Sequence, residues 1–395
     1  MMFSWRGPEK ELCPYCFNYF ALKETPFRCT SPMTICPPEP DEVLTRVWKE
    51  NVPVGKALEP GGAFVRSVRC PSCKHQTTKR LCPHCHMELP HTTGDLRNYI
   101  FALIGAKDSG KSHYLAVLIT QIRKHLGPDL DLLLEPINDY TIRRFREQFY
   151  NPVYQQGRVI DSTKSALVDR GVQKPLVYSL TFSGKGLFGK TRIKQGVVLV
   201  FFDTAGEDLV SEDVMSVVNK YIYRSDGIIL LIDPLQLNRV RDRLGPTSGL
   251  PDQWEETTDV LNRTTRLIER GKGLKPTDVI DIPLAVAFSK FDAVQPLIDA
   301  QFQLNAASDH RRGFDAQDFD AVNDEMVALL EQWDSSELVH FAQTRYRTCG
   351  FFGLTALGCN PHGTGQIPRV LPRRVEDPFL WLLARNGLIP TAKTR

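Results

Sequence analysis

The sequence has little that would place the chain in a membrane or on a nucleic acid. No apolar run among the 395 residues is long enough to span a bilayer, and the N-terminal stretch MMFSWRGPEKEL lacks the apolar segment of a secretory signal. The formal net charge is +3, which is too small to predict binding to nucleic acid or to a membrane surface. Internal repeats and low-complexity tracts are absent as well. These absences predict a cytoplasmic protein with no membrane span.

Cysteine is scarce in most of the chain and concentrated at its beginning. Eight of the ten cysteines lie before residue 90, and only Cys349 and Cys359 lie later. In a chain without an export signal, clustered cysteines are more often metal ligands than disulfides. We therefore expect a metal-binding N-terminal region, and we expect the two later cysteines to be buried thiols.

The early cysteines form three C-P-x-C pairs and two single residues. Each C-P-x-C turn can place two thiolates on one Zn²⁺, and four thiolates complete a closed structural site. The spacing predicts one site from Cys70, Cys73, Cys82 and Cys85, and a second site from Cys13, Cys16, Cys29 and Cys36. Interleaving of the two sites, or replacement of one cysteine by a histidine, remains open. The spare histidines are His75, His84, His86 and His91.

A basic stretch lies within this cysteine-rich region. Residues 61–87 contain five Lys and Arg residues and no acidic residue. Such a stretch could contact nucleic acid, but no aromatic residues alternate with the basic ones to stack on bases. A solvated rim or a protein-docking face is the favoured interpretation.

The stretch YIFALIGAKDSGKSHYLAV contains a candidate phosphate-binding loop. GAKDSGKS fits the pattern G-x-x-x-x-G-K-[ST], and it follows an apolar run and precedes apolar residues at helical spacing. Gly127 and Pro128 are predicted to end that helix. A plain strand-to-helix turn is the alternative. The loop would present backbone N–H groups and Lys111 to phosphates, and the Ser112 hydroxyl to Mg²⁺. The predicted binding residues are Gly105, Lys107, Asp108, Ser109, Gly110, Lys111, Ser112 and His113.

A second motif, DTAGED, follows the apolar run VVLVFF. Asp203 stands where a phosphate-loop protein places a second contact to Mg²⁺, and Gly206 would let a backbone N–H approach the γ-phosphate. The metal also needs a threonine from the polar segment before this motif; Thr163 is the candidate, and Ser162 is the next. That segment could become ordered around the γ-phosphate.

Two later motifs predict a base pocket. SKFD contains Ser289, Lys290 and Asp292, and TAL contains Thr355 and Ala356. The Asp292 carboxylate could accept two hydrogen bonds from guanine, which adenine cannot donate. The Lys290 stem could lie over the base, and the Ala356 N–H could reach the guanine O6. The sequence therefore predicts guanine selectivity.

The four motifs, in this order, resemble those of GTPases of the translation-factor-like and Ras-like superclass over about residues 97–390. The cysteine-rich leader, SDGIILLIDPLQ and DPFLWLLARNGLIP are similar to a narrower group, bacterial double-GTPase-type proteins. The resemblance implies a GTP-hydrolysing switch in a signalling or defence system, with a second GTPase or an activating protein as its partner. Its catalytic residues would be Lys111, Gly206, Glu207 and Thr163.

Three positions depart from that family pattern. Ser289 stands where relatives have asparagine or threonine, and Lys107 stands where Ras-like loops have glycine. Glu207 replaces the glutamine that orients water in many relatives, which implies slow hydrolysis without a partner.

The alternative functions are a phosphate-loop ATPase, a GTP-bound non-catalytic scaffold, and a zinc-ribbon nucleic-acid binder regulated by nucleotide.

These observations predict an α/β protein of the P-loop NTPase class, with a mainly parallel sheet between helical layers, preceded by a zinc-ribbon module. The predicted domains are residues 1–95 and 96–395, with insertions near 131–174, 236–275 and 295–343. The stretch FDAQDFDAVNDEMVALLEQW is predicted to be an acidic amphipathic helix, and SGKGLFGKTR the tip of a hairpin. DPFLWLLARNGLIP is predicted to be a packed terminal helix.

Overall fold

The N-terminal region consists of short antiparallel strand pairs and one helix. The computed structural model describes residues 10–49, 51–62, 65–161, 174–185, 191–201, 215–245, 257–311, 313–361 and 365–392. The strands pair as β1 with β2, β3 with β4, and β5 with β6, and two-residue strands cannot enclose a core of their own. These elements are β1 (Glu11–Leu12), β2 (Tyr19–Phe20), β3 (Phe27–Arg28), α1 (Glu42–Trp48), β4 (Ala57–Leu58), β5 (Val68–Arg69) and β6 (Gln76–Thr77).

The rest of the chain is organised around a seven-stranded sheet, whose order is β13-β12-β11-β7-β10-β9-β8. The five strands from β13 to β10 run parallel, whereas β9 is antiparallel to both β10 and β8. The central strands are uninterrupted apolar runs because helices cover both of their faces. The strands are β7 (Asn98–Gly105), β8 (Leu132–Pro136), β9 (Leu176–Lys185), β10 (Thr191–Phe201), β11 (Gly227–Ile232), β12 (Leu284–Phe288) and β13 (Cys349–Gly353).

Helices pack on both faces of this sheet, which confirms the predicted α/β class. One face carries α5 to α9, and the other carries α2 and α10. The helices are α2 (Lys111–Gln121), α3 (Gly127–Leu130), α4 (Asp139–Arg144), α5 (Met215–Tyr223), α6 (Asn238–Leu244), α7 (Thr257–Lys272), α8 (Ala316–Gln332), α9 (Ser336–Arg345) and α10 (Asp377–Arg385). Wider helical turns cover Ile122–Leu126 and Phe145–Gln155, and 3₁₀ turns cover Leu22–Glu24, Pro234–Gln236, Phe291–Leu297 and Gln303–Asn305.

The helix after the candidate phosphate loop is longer than predicted. Gly127 and Pro128 do not end it, because a π-helical segment joins α2 directly to α3. Pro128 lies inside this helical run, directly after the π-helical segment, and its missing N–H removes one backbone hydrogen bond from the run. The helical run ends instead at Asp131, which adopts a left-handed conformation with φ of 53°.

Three other predicted elements are confirmed. The acidic helix is α8, and the Asp315 side chain accepts hydrogen bonds from the backbone N–H groups of Gln317 and Asp318 at its start. The terminal helix is α10, and it ends before Gly387, whose φ is 69°. The predicted hairpin strands are β9 and β10, while residues 186–190 between them lie outside the described residues. The domain boundary at residue 95 stays a prediction.

Candidate metal centres and phosphate-binding site

The three C-P-x-C turns share one local geometry. The residue after the second cysteine is left-handed in each turn: Phe17, Lys74 and His86 have φ of 56°, 63° and 54°. Its N–H donates to the carbonyl of the first cysteine of the same turn, at 2.9–3.1 Å. This tight turn directs both thiols of a pair to the same side, as a shared metal ion requires.

The structure brings the eight early cysteines together in two groups of four. In each group all four sulfur atoms lie within 4.8 Å of one another. The predicted assignment of ligands to sites is wrong, and the interleaved alternative is correct. The chain folds back on itself, so that the backbone of Phe27 and Arg28 pairs with that of Lys79 to Leu81 and mixes the two halves. The first group is Cys13, Cys16, Cys82 and Cys85, and the second is Cys29, Cys36, Cys70 and Cys73.

The spacing of the thiols fits zinc. Four sulfurs placed tetrahedrally around Zn²⁺ at about 2.3 Å are about 3.8 Å apart. The Sγ–Sγ distances are 3.8 Å for Cys13–Cys85 and 3.7 Å for Cys16–Cys82 in the first group. A closed set of four thiolates leaves no coordination position for a substrate, so a zinc ion held by either group would be structural.

None of the spare histidines belongs to either cysteine group. His86 Nδ1 lies 2.9 Å from the Asp41 carboxylate, His84 Nε2 lies 3.0 Å from the Tyr19 carbonyl, and His75 contacts a threonine hydroxyl. The predicted alternative in which a histidine replaces a cysteine is therefore wrong. The histidines hold neighbouring loops instead.

The two groups differ in their surroundings. The first group shares a continuous apolar cluster with the central strands of the sheet, whereas the second lies in a small separate cluster with Phe27 and Leu58. Burial raises the pKa of the Cys13 and Cys85 thiols well above its usual value, while hydrogen bonds from neighbouring thiols lower the pKa of Cys16. A bound Zn²⁺ would deprotonate all four.

A buried ion pair that the sequence analysis missed joins the two groups. The Arg28 guanidinium donates to the Asp41 carboxylate at 2.8 Å and to the His86 carbonyl at 3.1 Å, and both side chains are 5 % exposed. Arg28 precedes a ligand of the second group, and His86 follows a ligand of the first. In the sequence, the only available signal for this ion pair was a charged residue next to a cysteine motif.

The candidate phosphate loop connects the end of β7 to the start of α2, as predicted. Lys111 is buried, and its Nζ donates to the carbonyls of Gly105 and Ala106 at 2.9 and 2.8 Å. A Cβ on Gly105 would lie 2.4 Å from the Leu231 carbonyl oxygen, so only glycine fits where β7 meets β11. Gly110 has φ of 87° and begins the helix in a conformation that favours glycine.

The later motifs meet the loop at the carboxyl edge of the sheet. The Ser289 hydroxyl donates to the Ser109 carbonyl at 2.8 Å, so the SKFD motif braces the loop. The Asp292 N–H donates to the Thr355 hydroxyl at 3.0 Å, which joins SKFD to TAL. Burial raises the pKa of Asp292. Four strands that run parallel thus bring motifs from distant parts of the chain to one edge.

Lys290 forms an ion pair that the sequence analysis did not foresee. Its Nζ lies 2.6 Å from the Asp233 carboxylate, whose side chain is fully buried and also accepts from the Leu235 N–H. Asp233 follows the buried strand β11 and precedes a proline, and this position after an apolar run was the available signal. The contact holds Lys290 at the same edge of the sheet.

His113 connects the helix after the loop to the segment before residue 162. Its Nε2 accepts a hydrogen bond from the Ile160 N–H at 3.0 Å. Burial, and then the nearby Lys290 charge, lower the pKa of His113 to about 4, so the ring stays neutral and can accept. The contact holds Ile160 against the helix that follows the loop.

The remaining predicted site residues divide into two kinds. Lys107 and Asp108 are exposed at the tip of the loop, while Ser112 and Ala356 are partly buried. The other four lie outside the described residues, so their roles as switch and Mg²⁺ contacts stay predictions. These four are Thr163, Asp203, Gly206 and Glu207.

Comparison with known proteins changes the functional interpretation. No protein-family model matches the chain. Over 362 residues, 87 % of this chain and 87 % of the relative, the sequence is 25 % identical to a Mycolicibacterium smegmatis protein described as "Putative ESX-1 scaffolding and assembly protein SaeC". This chain is thus similar along most of its length to a protein named for assembly and not for catalysis.

The predicted GTP-hydrolysing switch is wrong in the light of this relative, and so is the assignment of the chain as an enzyme. The error has a physical origin. A loop that binds phosphate does not by itself supply hydrolysis, which also needs groups that position and activate water.

Within the described residues, no helix has both the length and the apolarity needed to cross a bilayer. The cytoplasmic location stays a prediction.

Proposed function

We propose that this chain is a scaffolding protein that holds other proteins together during the assembly of an ESX-1-like complex. The observation that carries the proposal is the similarity to the SaeC protein, which extends over 87 % of both chains. A match of that extent includes both the cysteine-rich region and the sheet, so the proposal concerns the whole chain.

The geometry supports a binding role. Both cysteine groups have four thiol ligands and would rigidify short strands that lack a core of their own. The loop between two ligands of the second cysteine group exposes the apolar side chains of Met33 and Ile35 to solvent. A rigid module with exposed apolar side chains is suited to contacts with other proteins.

The scaffold proposal is tested in the host of this protein by cross-linking and purification of the full chain. We expect at least two different proteins to be recovered in one complex with the chain, because a scaffold binds its components simultaneously. In a deletion strain, the same components should sediment separately, and the reintroduced chain should restore the complex. Components that sediment together equally well without the chain would refute the proposal.

We also propose that the loop Gly105–Ser112 binds the phosphates of a nucleotide without turnover. The observation that favours this second function is the buried Lys111 amino group within a loop whose two glycines are required by its geometry. Ser112 would contact Mg²⁺, and Asp292, at the same edge of the sheet, would contact a guanine base. The nucleotide would thus act as a ligand that stabilises the scaffold.

Titration calorimetry with GTP, GDP and ATP in the presence of Mg²⁺ tests this second function. We expect Lys111→Met to weaken binding of every triphosphate at least about tenfold, because a charge-assisted contact to phosphate is lost. Asp292→Asn should weaken binding of the guanine nucleotides only. Lys124→Met, an exposed lysine on the same helical run, is the matched control. Equal binding by the Lys111→Met and Lys124→Met proteins would exclude a phosphate site at this loop.

A further inference from the structure

The outer part of the cysteine-rich region carries a basic surface. Arg66, Arg69 and Lys74 are exposed, and within the described part of the chain none of them forms an ion pair. No acidic residue occurs from 61 to 87 to neutralise them. We define the basic surface as these three residues with the apolar side chains of Met33 and Ile35, which are 69 % and 64 % exposed.

The second cysteine group brings these side chains together. Its ligands close the 29–36 loop, which carries Met33 and Ile35, against the turn at 70–73. The Thr30 hydroxyl lies 3.2 Å from His75 Nε2, so the loop runs beside the residues that follow the turn. Arg69 ends β5 directly before the turn, and Lys74 directly follows it. The basic surface therefore combines exposed basic and apolar side chains, a composition that suits a protein partner.

An acidic surface occurs elsewhere on the same chain. Residues 313–344 contain eight Asp and Glu residues and no Lys or Arg. Several of these carboxylates have partners in their own chain: Asp318 pairs with Arg374, and Glu325 accepts from two backbone N–H groups. Three others are exposed or partly exposed on one face of α8 and form no ion pair among the described residues. We define the acidic surface as Asp320, Asp324 and Glu331.

The two surfaces belong to separate elements of the fold. Helix α8 packs on β13, which is one edge strand. The cysteine-rich region contacts the middle of the sheet, where Asn98 of β7 donates to the Leu12 carbonyl, and also the segment after β8, where Asn138 donates to the Tyr15 hydroxyl. No hydrogen bond or ion pair among the described residues joins the basic surface to α8 or α9.

We propose that the acidic surface of one copy of this chain binds the basic surface of a second copy, so that copies associate head to tail. The two surfaces have opposite charges, and each carries three charged side chains without an ion pair among the described residues. When two copies bind in this way, one acidic surface and one basic surface of the pair remain unoccupied, so further copies can add. This inference rests on the proposed scaffold function, for which repeated copies would present repeated binding sites.

Sedimentation velocity over a range of protein concentrations tests the proposal on the full chain. The wild type should form larger species as the concentration rises, and these should dissociate at high salt, which screens exposed charges. Two neutralised variants are needed: Arg69→Gln with Lys74→Gln, and Asp320→Asn with Asp324→Asn. Each should associate about tenfold more weakly, because two exposed ion pairs are lost. Asp299→Asn with Arg270→Gln, at exposed positions elsewhere, is the control and should behave as the wild type.

Mixing the two neutralised variants gives the sharpest result. One variant retains the acidic surface and the other retains the basic surface, so a mixture should form a one-to-one dimer that does not grow. This outcome requires both variants to be folded and cannot arise from misfolding. A wild type that remains monomeric, or a mixture without dimers, would overturn the proposal. Binding of the wild type to RNA or DNA without self-association would assign the basic surface to nucleic acid and overturn it as well.

The host experiment separates this inference from the scaffold proposal. A monomeric chain that still gathers two components would overturn self-association only. If the chain self-associates but the components assemble normally in the deletion strain, only the scaffold function is overturned.

Discussion

Cys85→Ser should abolish the stable folded state of most of this chain, whereas Cys36→Ser should affect mainly the loops around the second cysteine group. Cys85 lies in the first cysteine group, which shares its apolar cluster with the sheet, and Trp48 donates to the Cys85 carbonyl. Structural zinc contributes about 10–16 kcal/mol of binding free energy in small zinc peptides, as much as the net stability of a whole domain. Cys36 lies in the separate second cluster, so its loss leaves the sheet intact.

Elemental analysis and thermal unfolding followed by circular dichroism check this expectation. The wild type should contain two zinc ions per chain, one for each cysteine group, and each variant should lose one of them. Cys359→Ser, which changes a cysteine outside both groups, should retain the metal content and melting temperature of the wild type. Cooperative unfolding of the Cys85→Ser protein at the melting temperature of the Cys36→Ser protein would contradict the assigned difference between the two groups.

Arg374→Met should lower the free energy of unfolding by about 3–5 kcal/mol at neutral pH, the usual cost of breaking a buried ion pair. The Arg374 side chain is 1 % exposed and contacts the carboxylates of Asp318 and Asp377 at 2.7 and 2.8 Å. It also donates to the carbonyls of Gln303 and Ala306. Methionine retains the apolar volume of the side chain but leaves two buried carboxylates without their cation.

Arg373→Met is a matched control because Arg373 is the adjacent residue and is exposed. Its free energy of unfolding, measured by urea denaturation, should stay within about 0.5 kcal/mol of the wild-type value. The Arg374 contacts outweigh burial and lower the pKa of Asp318, so the stability that this pair contributes is present above the ordinary Asp pKa and is lost as the pH falls. The difference in the free energy of unfolding between the Arg374→Met protein and the wild type should therefore become smaller in acid. An equal loss of unfolding free energy in the Arg374→Met and Arg373→Met proteins would contradict a structural role for the buried pair.

Much of the fold could be predicted because its signals are local. Buried parallel strands such as GIILLI are uninterrupted apolar runs, and α8 combines a capping aspartate with helical spacing. The strand–loop–helix unit at residues 98–121 combines a buried strand, two glycines and a helix with apolar residues at helical spacing. Such patterns act over a few residues and do not depend on the rest of the chain.

Other features could not be predicted because they join residues far apart in the chain. The Tyr221 hydroxyl donates to the Phe101 carbonyl and accepts from the Leu103 N–H, within a strand more than a hundred residues earlier. The Arg374 site collects side chains and carbonyls from residues 303–377, and no spacing rule relates them. Each contact depends on how the helices pack on the sheet.

By itself, the sequence determined the α/β class, the existence of two sets of thiol ligands, and the position of the candidate phosphate loop. It did so because apolar periodicity, C-P-x-C turns and glycine-rich loops are local properties of the chain. Only the tertiary structure decided which cysteines share a site, since four closed turns and loops can pair in several ways and the return of the chain at β3 selects one of them. It also decided that the cysteine-rich region packs against the central strands and that α8 packs against the edge strand β13, because strand order is set by long-range packing and not by position along the chain.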